Sequence, residues 1–335
     1  MTDNKEFKIN IIDNSSIPKY RQLVNSINNA IAEKLLDSGD MLPSVNQVCQ
    51  DYKVSRDTVF KAYSLLKDQG VVESVPNKGY FVARAIRRVF LFLDTFKAYK
   101  EVLYDSFVNN LPKNIVADVH FHHYKPEVFR RQIEDSIGKY SKYVIMPFAH
   151  KGIEDVLGQI PDENLLIIDW NIHSKENHNL LYQDFGDAVY SQLDELKLSI
   201  NKYEKGIELL YPEYTNHPYE TVEYFEKFCI DNGIKHRVLT DSSDFVVEKG
   251  WAYFSVSDRM LGRFLEQCRD KNLKPGVDTG IISFNETPMK KFIYEGITVI
   301  STDFNEMGKK AAEFATADIE MKYCVPTYAY VRKSL

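Results

Sequence analysis

The chain has 335 residues, of which 44% are hydrophobic and 27% are charged, and its net charge is −6 at pH 7. This apolar content excludes a disordered chain, and the length predicts a small module joined to a larger or bilobal domain. No segment reaches the ~20 consecutive apolar residues that a membrane-spanning helix needs, and the N-terminus has no apolar signal-peptide core. We therefore expect a soluble, cytoplasmic protein without a membrane partner.

The first 84 residues predict three helices followed by a hairpin. Apolar residues at a spacing of four predict a helix over residues 20–36, and Ser44 with Gln47 forms a capping box ahead of a short helix over residues 45–52. Ser55 caps a third helix that stops at Gly70. Strands over residues 71–75 and 80–83 then flank a turn with a basic tip. The pattern predicts a winged helix-turn-helix, a fold that reads the major groove of DNA.

The residues themselves closely resemble the winged-helix domain of the GntR family. The motifs that carry the resemblance are Pro18-x-Tyr20-x-Gln22, Gly39-x-x-Leu42-Pro43-Ser44, Val54-Ser55-Arg56-Asp57-Thr58-Val59-x-x-Ala62, Leu66-x-x-x-Gly70 and Lys78-Gly79-Tyr80-Phe81-Val82. The match covers residues 17–84. The charge of the N-terminal segment is nearly balanced, since residues 1–84 have 11 Lys and Arg against 10 Asp and Glu. Phosphate contacts need only a local basic face, so this balance permits DNA binding.

The GntR resemblance implies which residues contact double-stranded operator DNA. Carried over by position, the contacts are Ser55, Arg56, Thr58, Lys78 and Gly79, and Lys61 joins them because it lies off the apolar stripe of the third helix. Structural alternatives stay open: Ser55 as a helix cap only, Lys78 as a solvated turn charge, and Gly79 as a requirement of the turn. Many family members have an arginine where this chain has Asn46, so the operator preference is expected to differ.

After a basic linker over residues 85–88, residues 89–335 alternate buried strands with amphipathic helices. That order predicts an α/β fold of two doubly wound parallel-sheet lobes. The predicted strands cover residues 89–93, 115–121, 143–147, 165–169, 206–211, 235–239, 251–256 and 279–284, and the predicted helices cover residues 99–110, 126–138, 185–203, 219–232 and 258–270.

This region resembles the effector domain of the LacI family, which has the periplasmic-binding-protein type I fold. The motifs are Ile167-Ile168-Asp169, residues 182–188, Ser255-Val256-Ser257-Asp258, residues 276–285, residues 296–300 with Asp303 and Met307-Gly308, and Val325-Pro326 with Val331-Arg332-x-Ser334. A GntR-type reader on a LacI-type sensor is an unusual pairing that is best matched to sugar-responsive regulators.

In the LacI-type fold, the ligand binds in the cleft between the lobes, outside the carboxyl ends of the strands. The predicted effector-binding residues are Asp94, Phe96, Phe148, His150, Asp169, Trp170, Ser257, Asp258 and Asn285. Planar polar groups and an aromatic face are the chemistry that holds sugars. Residues 218–228 lack the arginine that often grips the ligand in that family, which favours a neutral monosaccharide over an acid. Alternatives are Asp258 as a helix cap, Trp170 as core, and His217 as a further cleft residue.

Metal and cofactor sites are not predicted. The four cysteines, Cys49, Cys229, Cys268 and Cys324, show no ligand spacing and are interpreted as buried thiols. His120, His122 and His123 could form a metal site, but cleft lining or surface positions are favoured.

The predicted function is transcription regulation by a homodimer. The sequence has no GxGxxG, P-loop, GxSxG or HExxH motif, so neither an enzyme nor a cofactor is expected. We expect the dimer to bind a pseudo-palindromic operator, with a bound effector closing the cleft and changing the spacing of the two winged helices. The alternatives are the same architecture responding to a non-sugar metabolite, and an enzyme with a DNA-binding appendage.

Overall fold

The structure is a computed structural model that describes residues 7–13, 15, 17–83, 87–171 and 175–335. It divides into two compact units, Met1–Ile86 and Arg87–Leu335. The predicted boundary at residue 84 and the first half of the predicted linker lie outside the described residues. The second half of that linker, residues 87 and 88, instead opens a strand, because it pairs in register with residues 115 and 116 of the neighbouring strand.

The first unit has three helices and a two-stranded hairpin. Its elements are α1 (Lys19–Ala32), α2 (Val45–Tyr52), α3 (Arg56–Asp68), β1 (Val72–Val75) and β2 (Gly79–Val82). α1 ends four residues before the predicted end, since Lys34 adopts φ 55° and the amides of Leu35 and Leu36 both bond to the Ala30 carbonyl. Leu36 nevertheless stays buried beside Leu23 in the core, so the apolar spacing continued past the helix.

The second unit contains two six-stranded sheets. The first lobe is fully parallel in the order β13-β7-β6-β5-β3-β4, and the second lobe has the order β14-β12-β11-β10-β8-β9 with only β14 antiparallel. The first sheet comprises β3 (Arg87–Leu93), β4 (Ile115–Phe121), β5 (Lys142–Ile145), β6 (Leu165–Asp169), β7 (Asn179–Tyr182) and β13 (Lys322–Cys324); the second comprises β8 (Gly206–Leu210), β9 (His236–Leu239), β10 (Trp251–Ser255), β11 (Gly280–Phe284), β12 (Thr298–Thr302) and β14 (Thr327–Tyr330). The predicted two-lobed α/β fold is confirmed.

Eight helices accompany these sheets in the described part of the unit. They are α4 (Ala98–Asn109), α5 (Pro126–Ser136), α6 (Ile153–Leu157), α7 (Asp187–Glu195), α8 (Lys197–Ile200), α9 (Glu220–Asp231), α10 (Asp258–Asp270) and α11 (Phe304–Thr316). The single helix predicted over residues 185–203 is two helices that meet at Leu196. Among the described residues, no helix is long and apolar enough to cross a membrane.

The chain passes between the lobes three times, at β7 to α7, at β12 to α11 and at β13 to β14. α11 follows a strand of the second lobe but packs on α4 in the core of the first lobe. The two helices approach so closely that a Cβ on Gly308 would lie 2.5 Å from the Leu103 carbonyl oxygen, so glycine is required there. Cys324, predicted to be buried, is exposed because β13 is an edge strand.

Candidate functional site

Ser55 and Thr58 together build the start of α3. The Ser55 hydroxyl oxygen accepts the Thr58 amide N–H at 3.2 Å, and the two side-chain hydroxyls lie 2.8 Å apart. This is the ordinary geometry of an N-cap, and it begins the helix immediately before an exposed arginine. The cap therefore fixes where the first turn of α3 presents its side chains.

Arg56 and Lys61 differ in how they are held. Arg56 is exposed, and within the described residues no ion pair engages its guanidinium. Lys61 follows Arg56 by five residues on α3, and its ammonium lies 4.3 Å from the centroid of the Tyr20 ring. Arg56 thus combines exposure with an unneutralised charge, whereas Lys61 already has a cation–π partner within the unit.

The predicted wing is present as the β1–β2 hairpin, paired from Val72–Val82 to Val75–Gly79. Lys78 is exposed in the turn. Gly79 adopts φ 115°, a conformation that favours glycine, and Met41 bridges to Phe81 as a short third edge of the wing. Asn46 is exposed on α2.

In the second unit, a cavity of about 290 Å³ opens between the two lobes, at the carboxyl ends of both sheets. Its lining residues are Asp94, Lys97, Tyr99, Tyr124, Asp169, Gln183, Phe185, Tyr214, Thr215, Asn216, His217, Pro218, Val256, Ser257, Asp258, Arg259, Phe284 and Asn285. Five of the nine predicted effector-binding residues lie here: Asp94, Asp169, Ser257, Asp258 and Asn285. We call this cavity the interlobe cleft.

The structure does not bring the other four predicted effector-binding residues into the lining of the interlobe cleft. Phe148 is buried and stacks on His122 at 4.8 Å, and Phe96 is exposed with its ring edge on Phe121. His150 lines a separate groove beside α5 and α6. Trp170 packs edge-to-face on Phe185 at the side of the second-lobe core. Each follows a strand, but position after a strand does not decide the direction of a side chain.

Asp94 is committed to a buried network at the floor of the cleft. Its carboxylate accepts hydrogen bonds from the Lys100 ammonium, the Tyr124 hydroxyl and the Thr95 amide. Lys100 is fully buried, and burial lowers the pKa of its ammonium to about 8. Lys100 is not among the predicted site residues, although it lies on the apolar stripe of α4 with Leu103, and a lysine on an apolar stripe signals a buried partner.

Asp169 ends β6 with φ 73° and is oriented by the amide of Gln183, which donates to its Oδ1. Burial raises the pKa of the Asp169 carboxyl, and the Lys100 ammonium and the Gln183 amide oppose that rise. Within the described residues, Oδ2 accepts no hydrogen bond from the protein. One carboxylate oxygen is therefore left to the cleft.

His217 has a defined tautomer. The Thr221 hydroxyl donates its single proton to the Phe185 carbonyl at 3.1 Å, so at 2.8 Å it must accept the Nε2–H of His217. Burial lowers the pKa of the imidazole to about 3, and the nearby Lys97 charge adds to the shift. The neutral ring thus keeps Nδ1 as an acceptor, and no hydrogen bond from the described residues reaches that atom.

Asn285 and Asp258 are organised by buried Lys290. The Lys290 ammonium donates to the Asn285 carbonyl at 2.7 Å and pairs with Asp258 at 2.8 Å. Asn285 adopts φ 61°, and its side-chain Oδ1 is buried without a hydrogen-bond partner among the described residues. Asp258 is the first residue of α10 and is already paired with Lys290, whereas the Asn285 amide oxygen has no hydrogen-bond donor among the described residues.

Two positively charged side chains also line the interlobe cleft. Lys97 and Arg259 are exposed, and the Arg259 guanidinium lies 4.9 Å from the Tyr214 ring centroid. The missing arginine of residues 218–228 therefore does not leave the cleft without a guanidinium group.

The histidines of β4 and its end are held by aromatic and main-chain partners. His120 stacks on Phe90 at 4.6 Å, and His122 Nε2 lies 3.0 Å from the Met146 carbonyl. In the part of the chain that the structure describes, no group of three or more His, Cys, Asp or Glu residues could hold a metal ion.

Comparison with known proteins matches residues 19–82 to the bacterial regulatory proteins of the gntR family. The HTH-type transcriptional regulator YhcF of Bacillus subtilis is 34% identical over 97 residues, which are 29% of this chain and 78% of that protein. The HTH-type transcriptional regulator GalR of Streptococcus thermophilus is 24% identical over 45% of this chain and 51% of its own length. This chain thus spans about half the length of GalR.

The fold of the second unit is that of LacI-family regulators. A solved structure of a LacI family transcriptional regulator from Lactobacillus casei with bound glucose superposes with a TM-score of 0.60 at 12% identity, covering 74% of this chain and all of that one. At this identity the likeness concerns the fold. The winged helix, with its match over residues 19–82 and its identity to YhcF, carries the assignment: the chain belongs to the GntR family of bacterial regulatory proteins.

Proposed function

We propose that this protein is an operator-binding transcription regulator whose effector is a neutral monosaccharide bound in the interlobe cleft. The first unit, with its winged helix, forms the DNA-binding domain, and the second unit, Arg87–Leu335, forms the effector domain. It acts as a cytoplasmic homodimer without a cofactor and catalyses no reaction. Three acceptor atoms in the cleft carry the effector part: Asp169 Oδ2, His217 Nδ1 and Asn285 Oδ1, each without a donor among the described residues.

Sugar hydroxyls satisfy this arrangement. Asp169 Oδ2 and His217 Nδ1 are acceptors that a ligand donor can reach in the cleft, and Asn285 Oδ1 is buried without a donor, which costs roughly 1–3 kcal/mol. Each sugar hydroxyl supplies one donor, and the sugar's C–H faces match the phenyl and phenol rings that line the cleft, which are Tyr99, Tyr124, Phe185, Tyr214 and Phe284. The volume of about 290 Å³ favours a ligand of one ring.

Operator binding rests on α3 and the wing. Exposed Arg56 in the first turn of α3 suits a guanine edge or a phosphate, and Lys78 suits a phosphate beside the wing. Ser55, Thr58, Lys61 and Gly79 complete the proposed DNA contacts. Two copies related by a two-fold axis read the two halves of a pseudo-palindromic operator.

The test combines a ligand screen with a DNA measurement. In a thermal-shift screen, D-glucose or D-ribose should raise the melting temperature and the disaccharide sucrose should not, since a ligand that binds only the native state stabilises it. Duplexes selected from a random library supply the operator, and fluorescence anisotropy at fixed salt should show that this sugar changes operator affinity. A sugar that binds without changing that affinity would contradict the proposed regulation.

A second candidate is an anionic sugar, favoured by exposed Lys97 and Arg259 in the lining of the cleft. Glucose 6-phosphate in the same screen separates the two. A larger shift with the phosphate than with glucose, abolished in Arg259→Gln, would replace the neutral sugar by an anionic one.

A further inference from the structure

One buried polar side chain lies at each of the three crossings between the lobes. Gln183 follows β7, Thr302 ends β12, and Thr327 begins β14 directly after β13. These three residues are 3%, 3% and 8% exposed. Gln183 lies 119 residues from Thr302, and Thr302 lies 25 residues from Thr327, yet the three form one cluster.

The hydrogen bonds of this cluster run in a single direction. The Gln183 amide oxygen can only accept, so the Thr302 hydroxyl, 2.7 Å away, donates to it. Thr302 has no second proton, so at 2.9 Å it must accept the hydroxyl proton of Thr327. The Gln183 NH₂ group donates in turn to Asp169 Oδ1. The order of donation is therefore Thr327, Thr302, Gln183, Asp169, and we call this chain of bonds the crossing relay.

Main-chain bonds hold the same three crossings in register. The Gln183 amide donates to the Asp169 carbonyl at 3.0 Å, and the Val325 amide donates to the Tyr182 carbonyl at 2.7 Å. The Asp303 amide donates to the Pro326 carbonyl at 3.0 Å. The crossing relay is the part of this assembly that ends on a cleft side chain, because Asp169 lines the interlobe cleft.

We propose that Gln183 is a positioning residue that couples the Asp169 carboxylate to all three crossings. A ligand hydroxyl that bonds to the Asp169 carboxylate either competes with the Gln183–Asp169 hydrogen bond of the relay or strengthens it. Buried hydrogen bonds polarise one another, and each relay member has few other partners. A change at Asp169 therefore alters the hydrogen bonds at the crossings, where any rotation of the lobes must occur. The relay itself stands on geometry, and its use by an effector rests on the proposed function.

The ligand-free test is hydrogen exchange followed by mass spectrometry. Gln183→Met keeps the length of the side chain but removes its amide, and Thr302→Val removes one hydroxyl. If the relay couples the crossings, either change should speed exchange at all three, by about three- to tenfold for the loss of one buried hydrogen bond. Faster exchange confined to the substituted segment would overturn the proposal.

Thr279→Val is the matched control. The Thr279 hydroxyl is fully buried and donates to the Trp251 carbonyl at 2.8 Å, so its loss costs a comparable hydrogen bond away from the crossings. Exchange at the crossings should stay at the wild-type rate. At Asp169, Asn keeps an acceptor oxygen and should preserve slow exchange, whereas Leu removes it and should not; equal exchange in these two variants would also contradict the relay.

The effector-dependent test uses the sugar identified by thermal shift. Gln183→Met should reduce the ratio of operator affinities with and without sugar by more than it weakens sugar binding. An unchanged ratio would refute the regulatory use of the relay. If no sugar binds, the proposed function fails while the exchange experiment still decides the relay, so the two failures are distinguishable.

Discussion

The Thr221 hydroxyl fixes the tautomer of His217, because its only proton is donated to the Phe185 carbonyl. His217 therefore presents Nδ1 as an acceptor and remains neutral at physiological pH, with a pKa lowered to about 3 by burial. The pair joins α9 to the segment that leaves the first lobe, so it links a cleft acceptor to a crossing.

Thr221→Val should weaken sugar binding by about three- to tenfold, since the Nε2–H loses its acceptor and the tautomer is no longer enforced. Isothermal titration calorimetry with the sugar found by thermal shift measures the change. Thr279→Val, which removes a buried hydroxyl distant from the cleft lining, is the control and should bind as the wild type does. Equal loss in both variants would indicate a general effect on folding.

The second unit should lose stability as the pH falls below about 6.5. His217 and His122 have pKa values lowered to about 3 and about 4 when folded, against 6.5 in the unfolded chain. The unfolded chain therefore binds more protons, and each histidine removes about 2 kcal/mol from the free energy of unfolding between pH 7 and pH 5. Urea titrations followed by tryptophan fluorescence report on this unit, because Trp170 and Trp251 both lie in it.

His217→Gln should reduce that pH dependence, since it removes the one of these two histidines whose pKa is lowered further, while glutamine can still donate to Thr221. His150→Gln, which changes an exposed histidine, should leave the dependence as it is in the wild type. A pH dependence that is unchanged in His217→Gln would contradict the assigned pKa.

Lys100→Met should destabilise the second unit by about 3–5 kcal/mol, because it leaves the Asp94 carboxylate buried without its cation. The double variant Lys100→Met with Asp94→Leu should recover much of that loss, since both charges are removed together. Urea unfolding measures both. The exposed pair Lys197–Asp194 supplies the control, and Lys197→Met should change stability by less than about 0.5 kcal/mol. No recovery in the double variant would show that the pair does more than neutralise charge.

Arg56→Ala should weaken operator binding by about 1–3 kcal/mol, which is roughly five- to 150-fold, because a guanidinium contact at the start of α3 is lost. Fluorescence anisotropy with the selected duplex measures it at several salt concentrations. Lys67→Ala, in the last turn of the same helix, is the control and should bind like the wild type. Equal losses in the two variants would place the DNA contact elsewhere on the unit.

Elements set by local chemistry agree most closely with the sequence predictions. The bounds of α2, β4 and α10 match residue for residue, and Ser44 and Ser55 accept the amides expected of caps. Apolar period and capping are properties of neighbouring residues, so they can be read locally. The end of α1 and the break at Leu196 were missed, because there the apolar spacing continues through a change of backbone direction.

The sequence by itself determined the winged helix, the alternation of strands and helices, and the candidate DNA contacts, since all of these depend on short-range spacing and on motifs within one segment. Only the tertiary structure decided which of the predicted effector-binding residues line the interlobe cleft and which other residues join them. In the folded protein Phe148 stacks on His122 in the core, buried Lys100 donates to Asp94, and the Thr302 hydroxyl donates to Gln183. Gln183 and Thr302 lie 119 residues apart in the chain, and the physical reason is that contacts of such high sequence separation follow from sheet order and crossings rather than from local pattern.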